Sequence, residues 1–518
     1  MAAIDTDVLV IGGGATGAGV VHDAALRGFD AVLLERRDLA EGTTGRFHGL
    51  LHSGGRYVVK DPRSATECSV ENGVLRRTAA GTIEDTGGLF VQTPWDDPEY
   101  AERFVAGCAR AGIPVEEISA AQALREQPRL NPRVSRAFRV PDAAIDAWKL
   151  VWACARAAEA NGARVLTYHR VTSLLRRDDA VVGAVAVDER DGSEVRVNAE
   201  FVVNASGAWA AQVASMAGCS GITILPGKGI MIAMNHRLVD TVVNRCGPPA
   251  DGDILVPIRT VSVIGTTDTE VADPDDLTVT QEEVDQMLAD GERLVPGFRA
   301  GRALRVWAGV RPLFHDTRAA VASTRDVSRS HALIDHFERD GVRGFVTITG
   351  GKLTTFRRMA QDAVDAMCAQ RGERRPCRTH ETPLPGSEGG RYMWVGTRLA
   401  RRERTRHDDA LICECELVGR RRLEEAFAGR RTVNLDDIRR VLRLGMGPCQ
   451  GGFCTYRATG VLHELDNIGA AAANRALLGF LQERWKGVHP VLYGDGLRQA
   501  RLDDWIFQGL LDVEHVPQ

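Results

Sequence analysis

Two hydrophobic patterns take turns along the chain, short continuous apolar runs and stripes at helical spacing. Val8-Leu-Val-Ile11 is a four-residue apolar run, the signature of a strand buried on both faces. Gly12-Gly-Gly-Ala-Thr-Gly17 follows, and then Val20, Val21, Ala24 and Ala25 recur at helical spacing up to Gly28, a residue suited to ending a helix. Ala31-Val-Leu-Leu34 predicts a second strand, closed by Glu35. The strand-and-glycine-turn pattern returns at Phe201–Gly207 and Phe345–Gly351. Between them lies a β-rich stretch, Asp253–Val271, and a helix opening at Thr280 with Glu283 spaced for a capping box. Beyond about residue 385 the pattern changes. Residues 386–410 read as a linker with a basic run, 411–457 as a compact cysteine module and 458–518 as a mostly helical tail. No internal repeat is present.

Composition narrows the classes. The 518 residues are 44 % apolar and 26 % charged, ordinary for a globular chain. No run approaches the ~18 apolar residues of a membrane span, and the N-terminal residues do not read as a signal peptide. A net charge of −4 gives no case for nucleic-acid binding. Only five of the 65 basic residues are lysine (Lys60, Lys149, Lys228, Lys352, Lys486); codon bias explains the preference for arginine, and against it the remaining lysines are the better candidates for places that need a compact ammonium. Seven of the eleven cysteines are scattered, whereas Cys413, Cys415, Cys449 and Cys454 form two tight pairs. An odd total argues against a disulfide framework and for a metal site in a reducing compartment.

Gly12-x-Gly14-x-x-Gly17 opens a helix directly after a strand, and Glu35 ends the next strand. In this context the glycines allow a tight turn, backbone approach to a pyrophosphate and close helix packing, while the acid suits a ribose hydroxyl. The two later glycine turns, around Ala205 to Gly207 and Gly350 to Thr354, read as strand ends returning to one cofactor and favour FAD over a nicotinamide. The candidate cofactor contacts are Gly12, Gly14, Gly17, Glu35, Arg36, Thr43, Thr44, Gly49, Leu50, Val171, Ala205, Gly207, Gly350, Gly351, Leu353 and Thr354. The loop from Thr43 to Tyr57 would cross the flavin. In it His52 suits proton transfer near neutral pH and Arg56 suits a phosphate or carboxylate, with His48 a weaker candidate. The fold expected is α/β: a Rossmann-like FAD-binding domain of the glutathione reductase type, from about 1–75, 146–225 and 326–385, and a substrate domain with an antiparallel sheet, from about 76–145 and 226–325.

Cys413-x-Cys415 and Cys449-x4-Cys454 suit either a tetrahedral zinc or a [2Fe–2S] cluster. The one-residue spacing of the first pair is shorter than structural zinc sites use, and an electron carrier fits an oxidoreductase. The run Arg398–His407 reads as a solvated face or a docking edge.

Several of these motifs together resemble the FAD-dependent glycerol-3-phosphate dehydrogenases: Ile11–Gly19, His52-x-x-x-Arg56-Tyr57, Ile264–Asp268, Ala308–Leu313 and Gly350–Thr355. Gly45–Gly54, Pro226-x-Lys-Gly229, the cysteine module and Glu483–Gly487 bring the resemblance nearest to the A subunits of the anaerobic enzymes. It covers essentially the whole chain. It implies oxidation of glycerol 3-phosphate to dihydroxyacetone phosphate, with hydride passing from C2 to flavin N5. It implies His52, Arg311 and Lys352 as catalytic residues, and Arg56, Tyr57, Arg311 and Lys352 as substrate contacts. The four cysteines resemble the bacterioferritin-associated ferredoxin-like [2Fe–2S] module. Electrons would leave through flavoprotein and iron–sulfur membrane-anchor subunits to the quinone pool, with the chain cytoplasmic and peripheral at the inner face of the cell membrane. Phe356 departs from the pattern, since related sequences often carry tyrosine there. A flavin amine or opine oxidase shares the frame but needs a carboxylate site, and a non-enzymatic electron-transfer component is the other alternative.

Overall fold

The structure is a computed structural model that describes residues 2–315, 327–404, 409–428, 434–465 and 468–517. Its first sheet has a parallel core in the spatial order Arg164–Leu166, Ala31–Leu34, Ala2–Ile11, Glu194–Asn204, Phe345–Gly350. Val8 pairs with both Ala31 and Phe201, so the first strand sits in the middle of this core. Its run Val8–Val10 is fully buried because both faces of the sheet are covered. On one face Ala15–Leu26 packs against Ala147–Ala160 and Phe356–Arg371.

Among the described residues the second sheet holds nine strands and rests on two 13-residue strands, Thr223–Asn235 and Ala303–His315, paired antiparallel from Thr223↔His315 to Met234↔Ala303. Its other strands come from Gly88–Gln92, Glu116–Ser119, Arg136–Val140 and 242–270. One pairing departs from the antiparallel expectation: Val242–Arg245 runs parallel to Gly88–Gln92. The helix Gln281–Leu294 covers this sheet, and Thr280 with Glu283 closes its capping box. Val284, Met287 and Leu288 supply its buried stripe.

The 386–410 segment is not a plain linker. Val395–Arg404 is helical, and the chain before it is tied to the body by Leu384 N–H to Thr78 O (2.8 Å), Gly81 N–H to Ser387 Oγ (3.0 Å) and Met393 N–H to Ile83 O (2.7 Å). Its basic residues are engaged as well: Arg398 donates to Glu416 O, and Arg402 pairs with Asp409 at 2.9 Å. Arg406 and His407 lie outside the described residues.

The cysteine module has its own core of Ile412, Val418, Leu423, Phe427, Leu435, Ile438, Leu442, Ala458, Val461 and Leu462. It runs past 457, because the helix Cys454–Glu464 is continuous. Phe480, from the tail helix Ala470–Val488, closes that core. No described helix is long and apolar enough to cross a membrane.

Candidate functional site

A cleft of about 1140 Å³ runs between the two sheets, from Arg36 and Trp209 at one end to His52, Arg311 and Lys352 at the other. The glycine turn after the first strand forms its floor, and each glycine does different work. Gly12 has φ +110°, and a Cβ there would lie 2.7 Å from Ala205 O. A Cβ at Gly17 would lie 1.8 Å from Gly12 O, so the helix can start here only without one. A Cβ at Gly14 would approach only Thr44 Oγ1, at 3.2 Å, which leaves the cleft side of Gly14 open. Thr44 Oγ1 accepts from Ala15 N–H at 3.0 Å in the first turn of the helix, where the amides and dipole favour an anion. These features fit a dinucleotide pyrophosphate.

Glu35 sits beneath this turn. Its carboxylate accepts from Gly13 N–H at 2.6 Å and Arg37 N–H at 2.9 Å, and burial pushes its pKa up against those bonds. It shapes the glycine turn as well as facing the cleft. Arg36 lies 4.1 Å from the Trp209 ring and pairs with Asp275 at 2.8 Å, and Trp209 Nε1–H also donates to Asp275. Leu50, Val171, Ala205, Gly207, Gly350, Gly351 and Leu353 line the same cleft, as do Thr43 and Thr44. Gly17, Gly49 and Thr354 do not line it. Gly49 is held at φ +88° against Ile258, and Thr354 is buried, its Oγ1 accepting from His52 N–H at 3.1 Å.

At the far end, His52 is buried with its ring 5.4 Å from Tyr57 and 6.1 Å from His48. Burial, His48, Arg56 and Lys352 hold its pKa well below the usual histidine range; His48 is lowered to about 3, mainly by burial. Both imidazoles are neutral near pH 7. Arg56 pairs with Asp253 at 2.6 Å. Arg311 donates to Asp268 at 2.7 Å, to Thr267 O at 2.8 Å and to Thr266 Oγ1, and burial lowers its pKa to about 10. Lys352 Nζ lies 4.7 Å from the Tyr57 ring and donates to Arg329 O at 2.8 Å. The two guanidiniums expected to meet an anion are thus already oriented by carboxylates, and an incoming anion would share them. Phe356 is buried against Gly19 at the start of its helix and borders the cleft.

Arg329 also lines this end, with Nη2 3.8 Å from Asp268 Oδ2 and its N–H bonded to Asp61 at 3.0 Å. Sequence reasoning missed it. It sits in no glycine motif, and one arginine among sixty carries no local signal.

The four cysteines converge at the edge of the module. Cys415 Sγ is 3.7 Å from Cys449 Sγ, and Cys454 is hydrogen-bonded to both Cys413 and Cys449. Hydrogen bonds from the thiols of Cys415 and Cys454, with the amides of Gly451 and Phe453, hold the Cys449 thiol far below its usual range, while the same shared bonds and burial push Cys415 and Cys454 up. A set of four converging soft sulfur donors fits a thiolate-bound metal centre. Two buried ion-pair knots join this module to the cleft lobes. Glu416, next to Cys415, meets Arg259 and Arg443, and Arg259 reaches Asp146 at 3.1 Å. Arg440 meets Asp38 at 3.2 Å and Asp437, whose other oxygen accepts from Tyr168 Oη at 2.6 Å.

Residues 7–357 match the family model described as FAD dependent oxidoreductase. The chain is 42 % identical over 530 residues to the A subunit of the anaerobic glycerol-3-phosphate dehydrogenase of Escherichia coli (strain K12), covering 98 % of this chain and 97 % of that protein. It belongs to the family of anaerobic glycerol-3-phosphate dehydrogenase A subunits. A second relative, the A1 subunit of the Haloferax volcanii enzyme, is 41 % identical over 98 % of this chain and 91 % of that one. Among solved structures, the FAD-complexed glycerol-3-phosphate dehydrogenase from Bacillus halodurans has a TM-score of 0.58 at 22 % identity, covering 96 % of this chain and 93 % of that one. The L-alpha-glycerophosphate oxidase from Mycoplasma pneumoniae with FAD bound also has 0.58, at 18 % identity, over 74 % of this chain and 99 % of that one. These two share the fold. The chain is therefore an FAD-dependent oxidoreductase of this dehydrogenase family.

Proposed function

We propose that this chain oxidises glycerol 3-phosphate to dihydroxyacetone phosphate and passes the electrons, through a [2Fe–2S] cluster on Cys413, Cys415, Cys449 and Cys454, to partner subunits and the quinone pool. The observation that carries the reading is the convergence of His52, Arg56, Tyr57, Arg311 and Lys352 on the same cleft as the glycine cradle. FAD, when bound, supplies a two-electron acceptor for the hydride leaving C2. A [2Fe–2S] cluster, held by the four thiolates, supplies one-electron transfer.

The chain's own residues do the rest. Arg56, Arg311, Arg329 and Lys352 bring four cations to one end of the cleft, which suits a phosphomonoester dianion. His52, neutral and buried, accepts the C2 hydroxyl proton. Burial first, and the cations Arg56 and Lys352 in addition, depress its pKa and make it a weak base before substrate arrives. A phosphate dianion offsets those cations, so substrate binding raises the basicity of the imidazole as it is needed. Arg311 then steadies the developing alkoxide. The naming of the bacterial relatives as one lettered subunit of an enzyme supports a multi-subunit assembly, and partners would bring the chain to the inner face of the membrane. Anaerobic stopped-flow mixing tests the substrate assignment: glycerol 3-phosphate should bleach the flavin, and proline or an opine should not. Bleaching by the amino compounds alone would overturn it.

A further inference from the structure

The strand Ala303–His315 has Arg311 at its cleft end, and Arg302, the residue before it, touches the cysteine module. Arg302 Nη2–H donates to Pro448 O at 2.6 Å, and Nη1–H donates to Gln499 Oε1 at 3.2 Å. Pro448 is the residue before Cys449. Gln499 Nε2–H donates to Asp503 Oδ1 at 2.9 Å, and Asp503 stands against the same loop, since a Cβ built on Gly452 would lie 2.4 Å from its Oδ1. The loop carrying Cys449 and Cys454 is therefore gripped from both sides. A guanidinium at the foot of the second sheet holds its start, and a carboxylate from the tail helix Gly496–Asp504 lies against its middle. Gln499 bridges the two and keeps the charges from pairing directly.

We propose that Arg302 is a positioning residue for the cysteine loop whose fixed positive charge raises the reduction potential of the cluster held there, with Asp503 acting in the opposite sense. The proposal rests on the reading of the module as a [2Fe–2S] site. Reduction adds one negative charge to the cluster. A nearby cation favours the reduced form and a nearby anion the oxidised form, and half-buried charges such as Arg302 and Asp503 are screened less than fully exposed ones. The arrangement also gives the substrate lobe a direct hold on the electron exit, because Arg302 and Arg311 lie on one continuous stretch of chain.

The test is a redox titration of the full-length holoprotein at pH 8, followed by electron paramagnetic resonance, with iron and acid-labile sulfide measured per chain. The midpoint is independent of occupancy, so partial loading does not obscure it. Arg302→Gln should move the midpoint to lower potential, Arg302→Lys should stay near wild type, and Asp503→Asn should move it up. A purely structural role predicts no such opposition of sign. An Arg302→Gln protein with an unchanged midpoint overturns the inference while leaving the cluster in place. Should Arg302→Gln fail to load, an Asp503→Asn protein with a cluster at the wild-type midpoint overturns it equally. Wild-type protein without iron or sulfide overturns the cluster reading itself, a separate result.

Discussion

The backbone N–H of His52 donates to the hydroxyl of Thr354, 302 residues away, at 3.1 Å. This bond joins the loop after the second strand to the glycine turn after the last one, and Asn72 completes the fixation by donating to His52 O at 3.0 Å. The imidazole is thus held through both polar groups of its own backbone. Because Thr354 is followed closely by the helix Phe356–Arg371, which packs on the helix of the glycine cradle, the glycine cradle and His52, the proton acceptor we propose, are tied to one frame.

Gly14 and Gly17 should fail differently when substituted. Gly14→Val places its branches in the open cleft beside Thr44 and should yield folded protein with little flavin, read as absorbance per chain at an unchanged melting temperature. Gly17→Ala should instead damage folding, because its Cβ would stand 1.8 Å from a backbone oxygen.

Arg311→Ala removes a charged hydrogen-bonding partner, which typically costs about 1.5–3 kcal/mol, or about 10- to 150-fold in affinity. The glycerol 3-phosphate concentration for half-maximal flavin reduction should rise by that factor, with much less effect on glycerol. Equal losses for both alcohols would count against a phosphate role.

His22 sets a clear pH dependence of stability. Burial lowers its pKa to about 4 against the opposing pull of Asp23, so between about pH 4 and 6.5 the unfolded chain binds a proton that the folded chain refuses. Stability from this residue is complete above pH 6.5 and falls as the pH drops, by an amount on the order of a few kcal/mol. Denaturant midpoints at pH 7.5 and 5 should differ less in His22→Gln than in the parent.

Cys449→Ser should keep substrate-driven flavin bleaching, because the proposed function places hydride transfer in the cleft, away from the cysteines. It should lose the cluster resonance after reduction and lose turnover with a quinone-linked acceptor. Zinc at one equivalent in the wild type, with no iron, would replace the cluster by a structural metal.

Arg440 is buried against Asp38 and Asp437. Removing one partner of a buried ion pair typically costs about 3–5 kcal/mol. Arg440→Ala should loosen the module from the cofactor lobe, seen as early proteolytic release of the C-terminal part while flavin stays bound.

Much of this was legible along the chain, and the physical reason is local. A buried parallel strand, a glycine turn and a helix each leave their mark within a dozen residues, so Val8–Ile11, Gly12–Gly17 and Ala31–Leu34 could be placed from pattern alone. The capping box at Thr280 and the paired cysteines are equally short-range. Tertiary structure decided what depends on partners far away in sequence. Whether Arg56 and Arg311 stand bare or braced depended on Asp253 and Asp268. Glu35 is tied to Gly13 only because two strands lie side by side. The segment 386–410 looked like a linker because its polar composition says nothing about the backbone of Gly81 and Ile83, to which it is bonded. Arg329 and Arg302 were invisible for the same reason: an arginine has meaning only through what it faces, and folding alone brings Asp268 to one and the cysteine loop to the other.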